Sequence, residues 1–270
     1  MNITAFTSKQ LVNGSFGSFH SMSRNSTITT EKFLRRCMFL RIDKTNPFLA
    51  KTLTYIKKCI NREIEIPDRK EVLIQWHNFE DLVFSTWLLI FDDLNERAVK
   101  IINDWANVIE ASVIDNHFNF TSYLHNYQKI FGNLKVRQRV INPTNFYVVS
   151  LIKNRLSNIA SSGFYEHIMN KGVYYIYSNN LKDIPYEFDH KNTIFYLYAI
   201  LLASSYNPKD PTLVKIKKWI LDYQSKDGYW YLNNIKADGI VFPFSTNWRK
   251  KDDKLNDIKK YMNRILSFLP

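Results

Sequence analysis

The stretch from Trp219 to Trp230, W-I-L-D-Y-Q-S-K-D-G-Y-W, decides how the rest of the chain is read. Its first half continues an amphipathic run from Lys215 to Tyr223, and its second half is a polar turn that stops on an aromatic residue. Gln224, Gly228 and Trp230 fit the spacing Q-x-x-x-G-x-W, and each has a physical task there. The glycine permits the left-handed backbone that ends a helix. The glutamine amide can satisfy groups left unpaired at helix ends. The tryptophan supplies a large apolar face with one N–H donor.

The spacing recurs along the chain. Gln10, Gly14 and Phe16 repeat it with Phe in place of Trp, and Ile168, Gly172 and Tyr174 repeat it without the Gln. The preceding helix recurs too. Asn46-Pro47-Phe48-Leu49-Ala50-Lys51 matches Asp210-Pro211-Thr212-Leu213-Val214-Lys215, and in both an N-capping residue precedes Pro at the first helical position. Cap, helix and turn in one order read as a repeated helical hairpin. The Q-x-x-x-G-x-W spacing resembles the QW repeat of the terpenoid cyclase and protein prenyltransferase superfamily, whose members are rings of helical hairpins. The resemblance implies an all-α fold, an α/α toroid. Four clear hairpins plus extra helices are fewer than a closed α6/α6 ring has, so a smaller or open ring is expected.

Composition agrees with that class. A chain of 270 residues without a Pro/Ser-rich linker, low-complexity tract or long charge block is expected to be one domain, 1–270. Seven glycines are few and suit long helices. The net charge of +12 raises the question of anionic partners. Lys51, Lys57, Lys58, Lys215, Lys217 and Lys218 fall on expected outer helix faces, and there is no Gly/Arg-rich arm or zinc-finger spacing, so no nucleic acid is expected. Cys37 and Cys59 both lie in expected helices and read as free, buried thiols, which points to a cytoplasmic protein. No leader pattern is visible at the N-terminus. No uncharged apolar run reaches the ~18 residues of a membrane span.

In chain order, the pairing is Thr29–Arg41 with Pro47–Ile60, then Asn78–Phe91 with Glu96–Ser112. An extra helix over 117–132 follows, ended by Gly132. Phe146–Arg155 pairs with Ser157–Asn170, and Asn192–Ser204 with Pro211–Tyr223. G-V-Y-Y-I-Y from Gly172 is β-branched and aromatic, as a short strand would be. A last helix over Asp252–Leu269 is placed to close the ring.

The two sets of connections differ. Turns from inner to outer helices are short, whereas outer-to-inner loops are long and hold His20, Arg24, Asp68, Arg69, Trp76, His77, Arg137, Arg139, Asp189, His190, Trp230, Trp248 and Arg249. Long polar and aromatic loops on a rigid scaffold are where binding sites are usually built. The candidate catalytic residues are therefore His20, Asp68, His77 and Asp189, histidine titrating near neutral pH. The candidate ligand-binding residues are Arg69, Trp76, Trp87, Trp230, Trp248 and Arg249. The expected ligand is small and apolar with an anionic head, isoprenoid-like if the resemblance extends to function.

The superfamily's chemical motifs are absent or degraded. Asp92-Asp93-Leu94-Asn95-Glu96 resembles the aspartate-rich magnesium motif of class I terpene synthases, but Glu96 also reads as a first-turn residue of the next helix, and no second metal motif follows. Asp189-His190-Lys191-Asn192, followed by Thr193, occupies the register of the class II D-x-D-D acid, with Lys191 where the family has its proton donor. An ordinary ammonium cannot protonate an alkene. Neither cysteine lies in an outer-to-inner loop, so the prenyltransferase zinc set is missing, and no metal or other cofactor is expected. Two alternatives remain. One is a non-catalytic interaction scaffold with a protein partner. The other is a carbohydrate-active α/α barrel, which would need facing carboxylates, with Asp68, Asp81 and Asp189 as candidates.

Overall fold

The computed structural model describes residues 7–20, 28–245 and 247–270. Among the described residues ten helices account for about half of the chain, with one two-stranded ribbon, and the architecture is all-α. The helices are α1 Thr30–Phe39, α2 Pro47–Ile60, α3 Trp76–Ile90, α4 Glu96–Glu110, α5 Phe120–Phe131, α6 Phe146–Leu151, α7 Asn158–Lys171, α8 Thr193–Ser204, α9 Pro211–Asp222 and α10 Lys251–Leu266. The ribbon, β1 Val113–Ile114 and β2 His117–Phe118, is antiparallel.

Local chemistry sets most of the helix starts. Thr29, Asn46, Asn95, Asn119, Asn145, Ser157 and Asp210 each accept a backbone N–H of the first helical turn with their side chain. Pro47 and Pro211 follow their caps at the first helical position, as expected. The motif turns also repeat in their bonding. Gln10 Nε2 donates to Gly14 O at 3.1 Å, and Gln224 Nε2 donates to Gly228 O at 3.4 Å. Gln10 Nε2 reaches further, to Phe48 O and Thr52 Oγ1 at 2.8 and 2.9 Å, and so fastens the chain start to α2. Gly14 has φ +94°, and a Cβ there would lie 2.4 Å from Lys51 O. Only glycine fits that approach.

Packing sorts the helices by burial. In α6 every residue is buried, and in α1 only Lys32 and Met38 are not. Helices α3 and α8 are buried on most sides. Helix α3 packs on α2, α4 and α6; α6 continues to α8; and α8 packs on α7 and α10. Helix α10 is tied to the end of α1 by Arg264, whose Nη1 donates to Met38 O and Phe39 O at 2.6 and 3.0 Å. Helices α2, α4 and α9 turn amphipathic faces inward and leave lysines outside. The buried apolar side chains form one contiguous core, and Cys37 and Cys59 sit in it as free thiols. Among the described residues no helix is long and apolar enough to cross a membrane.

Three expectations change. The helix expected over Phe146–Arg155 stops at Leu151, because the chain turns there and Asn154 takes φ +61°. The stretch from Gly172 forms no strand, only isolated bridges between Val173 and Tyr177 and between Asn145 and Tyr174. Residues 117–118, expected in a helix, belong to the ribbon. Asp115 and Asn116 both have positive φ, the backbone of a two-residue hairpin turn that Asp and Asn tolerate.

Candidate functional site

At the N-terminal ends of the buried helices, the sequence-expected residues serve mainly to fasten loops. Asp68 accepts the backbone N–H groups of Phe19 and His20. The His20 ring lies 5.8 Å from Trp76 and 5.5 Å from Phe79, so His20, Asp68 and Trp76 do come together. His77 is one residue on, exposed, with Nδ1 3.0 Å from Glu80 Oε2. Arg69 and Arg249 are exposed. Asp189 holds a different loop, accepting Asn234 N at 2.9 Å. Trp248 Nε1 donates to Asp257, Trp230 Nε1 to Ile220 O, and Trp87 is buried in the core. The remaining sugar candidate, Asp81, is paired with Arg62 at 2.7 Å and Arg97 at 3.2 Å. Arg24 lies outside the described residues.

The centre beneath these loops is filled, which sequence reading missed. Glu31 and Arg35, one turn apart on α1, form a buried ion pair of 2.8 Å. The Tyr147 hydroxyl donates to Glu31 from α6. The Arg35 guanidinium lies 4.3 Å over the Phe146 ring and 5.6 Å over Trp87. Burial alone would pull its proton affinity down; Glu31, with Tyr198 and Tyr147, outweighs this and holds it above its usual value. The loop over 236–245 covers this centre. Arg36 donates to Pro243 O and Ser245 O, while Asp257 accepts the N–H groups of Phe244 and Ser245. Burial raises the pKa of Asp238 in the same loop.

The large cavity lies at the other end, and none of the ten residues expected from the sequence lines it. About 990 Å³, open to solvent on one side, is bounded by the C-terminal ends of α1, α3, α6, α8 and α10. The floor is apolar, with Phe39, Leu89, Ile90, Val149, Tyr198 and Leu202. Arg41, Lys153, Arg155 and Arg264 supply positive charge around it. Lys153 is exposed to solvent. The protein crowded around part of it lowers its proton affinity, and the neighbouring Arg264 lowers it further. Arg264 is itself depressed, first by burial, with Arg41 adding repulsion against the opposing Tyr198 and Tyr261. No carboxylate figures among the influences on either group. The two acids in the lining are engaged elsewhere: Asp43 with Thr45, and Asp92 with Lys44. Two buried polar atoms here have no partner, Ser150 Oγ and Arg264 Nε.

A smaller chamber of about 320 Å³ adjoins through Phe39, Arg41 and Arg264 and adds Lys260 and Asn263. Asp93, expected from the class I resemblance, pairs with Lys57 at 2.8 Å, and Asn95 caps α4. Among the described residues no group of three or more His, Cys, Asp or Glu side chains is placed to hold a metal ion. The signal for the cavity residues was present in the short turns. Arg41 borders one, and Lys153 and Arg155 lie in another, but short turns drew no attention beside the long loops.

No family model, curated protein or solved structure matches the chain.

Proposed function

We propose that the protein is a terpenoid cyclase- or prenyltransferase-like α/α toroid that binds an apolar, isoprenoid-like ligand with an anionic head. In this reading α1, α3, α6, α8 and α10 are the inner helices, and the ligand enters at their C-terminal ends, opposite the long loops. The cavity carries the proposal. Its volume is within the ~300–1,000 Å³ typical of small-molecule sites, and its apolar floor suits a hydrocarbon chain. Helix C-termini alone would attract cations to this end. Arg264 answers that need at α1 through Nη1, whereas the exposed Lys153 and Arg41 in the lining form no ion pair among the described residues and are left over for an anion.

Fluorescence titration with 1-anilinonaphthalene-8-sulfonate, which joins an aromatic body to one sulfonate, tests the reading. Binding is expected at one site and is displaced by dodecyl sulfate. Lys153→Met weakens it by about tenfold, the size of one charge-assisted contact. Leu202→Trp, which fills the floor, abolishes it. Displacement by a neutral dodecyl glycoside as strong as by dodecyl sulfate would remove the anionic head from the proposal. Unchanged binding in Leu202→Trp would remove the cavity.

A further inference from the structure

We infer that the loop-rich end carries a docking surface for an anionic phospholipid bilayer, built from the turns over 69–75 and 133–139. The surface lies at the N-terminal end of α3, opposite the cavity, and does not depend on what the cavity binds.

Hydrogen bonds stitch the two turns into one body. Arg139 N donates to Leu73 O at 2.8 Å, and Gln138 Nε2 donates to Ile74 O at 3.2 Å. Gln75 Nε2 reaches back to Phe131 O and Gly132 O at 3.2 and 3.1 Å. This frame holds apolar side chains in water. Val136 is 92% exposed and Val72 77%, and Leu73 beside Val72 is exposed as well. Single exposed hydrophobic residues need no explanation, but three on one hydrogen-bonded frame form a patch. Val136 stands at the tip of a β-turn closed by Gln138 N donating to Lys135 O at 2.9 Å, and Arg137 next to it takes φ +71°. Glycine or asparagine is the usual residue at such a φ, and turn tips are usually polar. The chain therefore breaks turn chemistry at two adjacent exposed residues, and Val136 gains no packing in return.

Charge selects the partner. Arg69, Lys135, Arg137 and Arg139 are exposed and join no ion pair among the described residues. The sequence has no acid between Asp115 and Glu166, so the second turn has none of its own. In and beside the first turn, Glu65 pairs with Lys70 at 3.2 Å, Glu71 accepts Leu73 N at 3.0 Å, and Asp68 is held by Phe19 N and His20 N. Aliphatic tips beside unpaired cations suit a bilayer interface, where the tips enter the headgroup layer and the cations meet lipid phosphates. RNA would need flat rings for its bases to stack on, and valine and leucine offer none. An added peptide strand would need free backbone groups, and the facing ones here are bonded to the neighbouring turn.

The full chain is mixed with extruded vesicles and sedimented. Vesicles of phosphatidylcholine and phosphatidylglycerol in equal parts carry the protein down, phosphatidylcholine alone does not, and added salt releases it. Arg137→Gln with Arg139→Gln weakens binding about 25-fold, at about fivefold for each basic residue near an anionic surface. That variant keeps the native melting temperature, because both side chains are exposed and outside the ion pairs. An environment-sensitive naphthalene dye is then attached to Val136→Cys, or to Lys209→Cys in the turn between α8 and α9 at the cavity end; Cys37 and Cys59 are buried and do not compete. On vesicle addition the emission shifts to the blue at Val136→Cys and stays unchanged at Lys209→Cys. No sedimentation with the anionic vesicles, native affinity in the double arginine variant, or a blue shift at Lys209→Cys alone overturns the inference. Joint loss of vesicle binding and melting temperature in that variant overturns it too, the arginines then being structural. Binding of polyuridylic acid through these arginines, with no dye shift at Val136→Cys, overturns it in favour of RNA.

Discussion

Replacing Glu31 by Ala tests what the centre of the molecule is built on. The substitution removes the counter-charge of Arg35, whose side chain is buried between the Phe146 and Trp87 rings. An uncompensated buried charge costs about 3–5 kcal/mol. The Tyr147 hydroxyl loses its acceptor in the same step, within the ~1–3 kcal/mol of an unsatisfied buried group. These costs overlap, because both arise from one carboxylate, so a loss of about 4 kcal/mol is expected. For a chain of this length each kcal/mol moves the melting temperature by about 2 °C, giving a fall of roughly 8 °C. Replacing both partners, Glu31→Met with Arg35→Met, removes the charges together and should recover most of the loss, leaving about 1–3 kcal/mol for the Tyr147 hydroxyl without its acceptor. Urea unfolding followed by circular dichroism measures Glu31→Met, Arg35→Met and their double variant in one double-mutant cycle beside Glu31→Ala. A coupling energy above about 2 kcal/mol is expected. A Glu31→Ala loss below about 1 kcal/mol, or a double variant as unstable as the sum of the singles, refutes the account. Either result would mean that water reaches the guanidinium.

His167 stacks on Phe118 at 4.2 Å, and burial, helped by Lys171, lowers its pKa to about 4. Its folded pKa is depressed, so the unfolded chain takes up the proton first as pH falls. Stability is whole above about 6.5 and declines between 6.5 and 4, by on the order of 2 kcal/mol after allowance for partial exposure. His167→Phe should flatten that part of a pH-dependent melting curve, and an unchanged slope would place the titration elsewhere. Gly132 and Gly172 share a positive-φ, extended-ψ backbone, but a Cβ meets nothing within 4 Å at Gly132 and lies 2.1 Å from Tyr177 O at Gly172. Both alanine variants carry the backbone strain; only Gly172→Ala adds the clash, and it should be the less stable by about 2 kcal/mol in urea unfolding. Trp230→Phe should lose only the bond to Ile220 O, about 1 kcal/mol, with the aromatic face kept.

Features written in local chemistry were legible in the sequence. Asn46-Pro47 and Asp210-Pro211 specify a helix start within a few residues, and α2 and α9 begin where they indicate. The glutamine-to-glycine bond of Q-x-x-x-G recurs for the same reason, since its partners are four residues apart. The site depended on a different kind of information. Nothing in the sequence near Arg35 marks it, because its aromatic neighbours lie on α3 and α6, far along the chain. Once α1 is surrounded, its polar stripe has no outside to face, and Glu31, Arg35 and Tyr147 must satisfy one another where a central pocket was expected. With that end filled, the cavity lies where the same helices stop. There the last turns end on small or short residues such as Ser150 and Ser204, and the chain leaves through tight turns rather than covering loops. Long loops therefore marked the end of the molecule that is closed by them. The short turns, which contribute too few atoms to fill the space between five helix ends, marked the end that stays open.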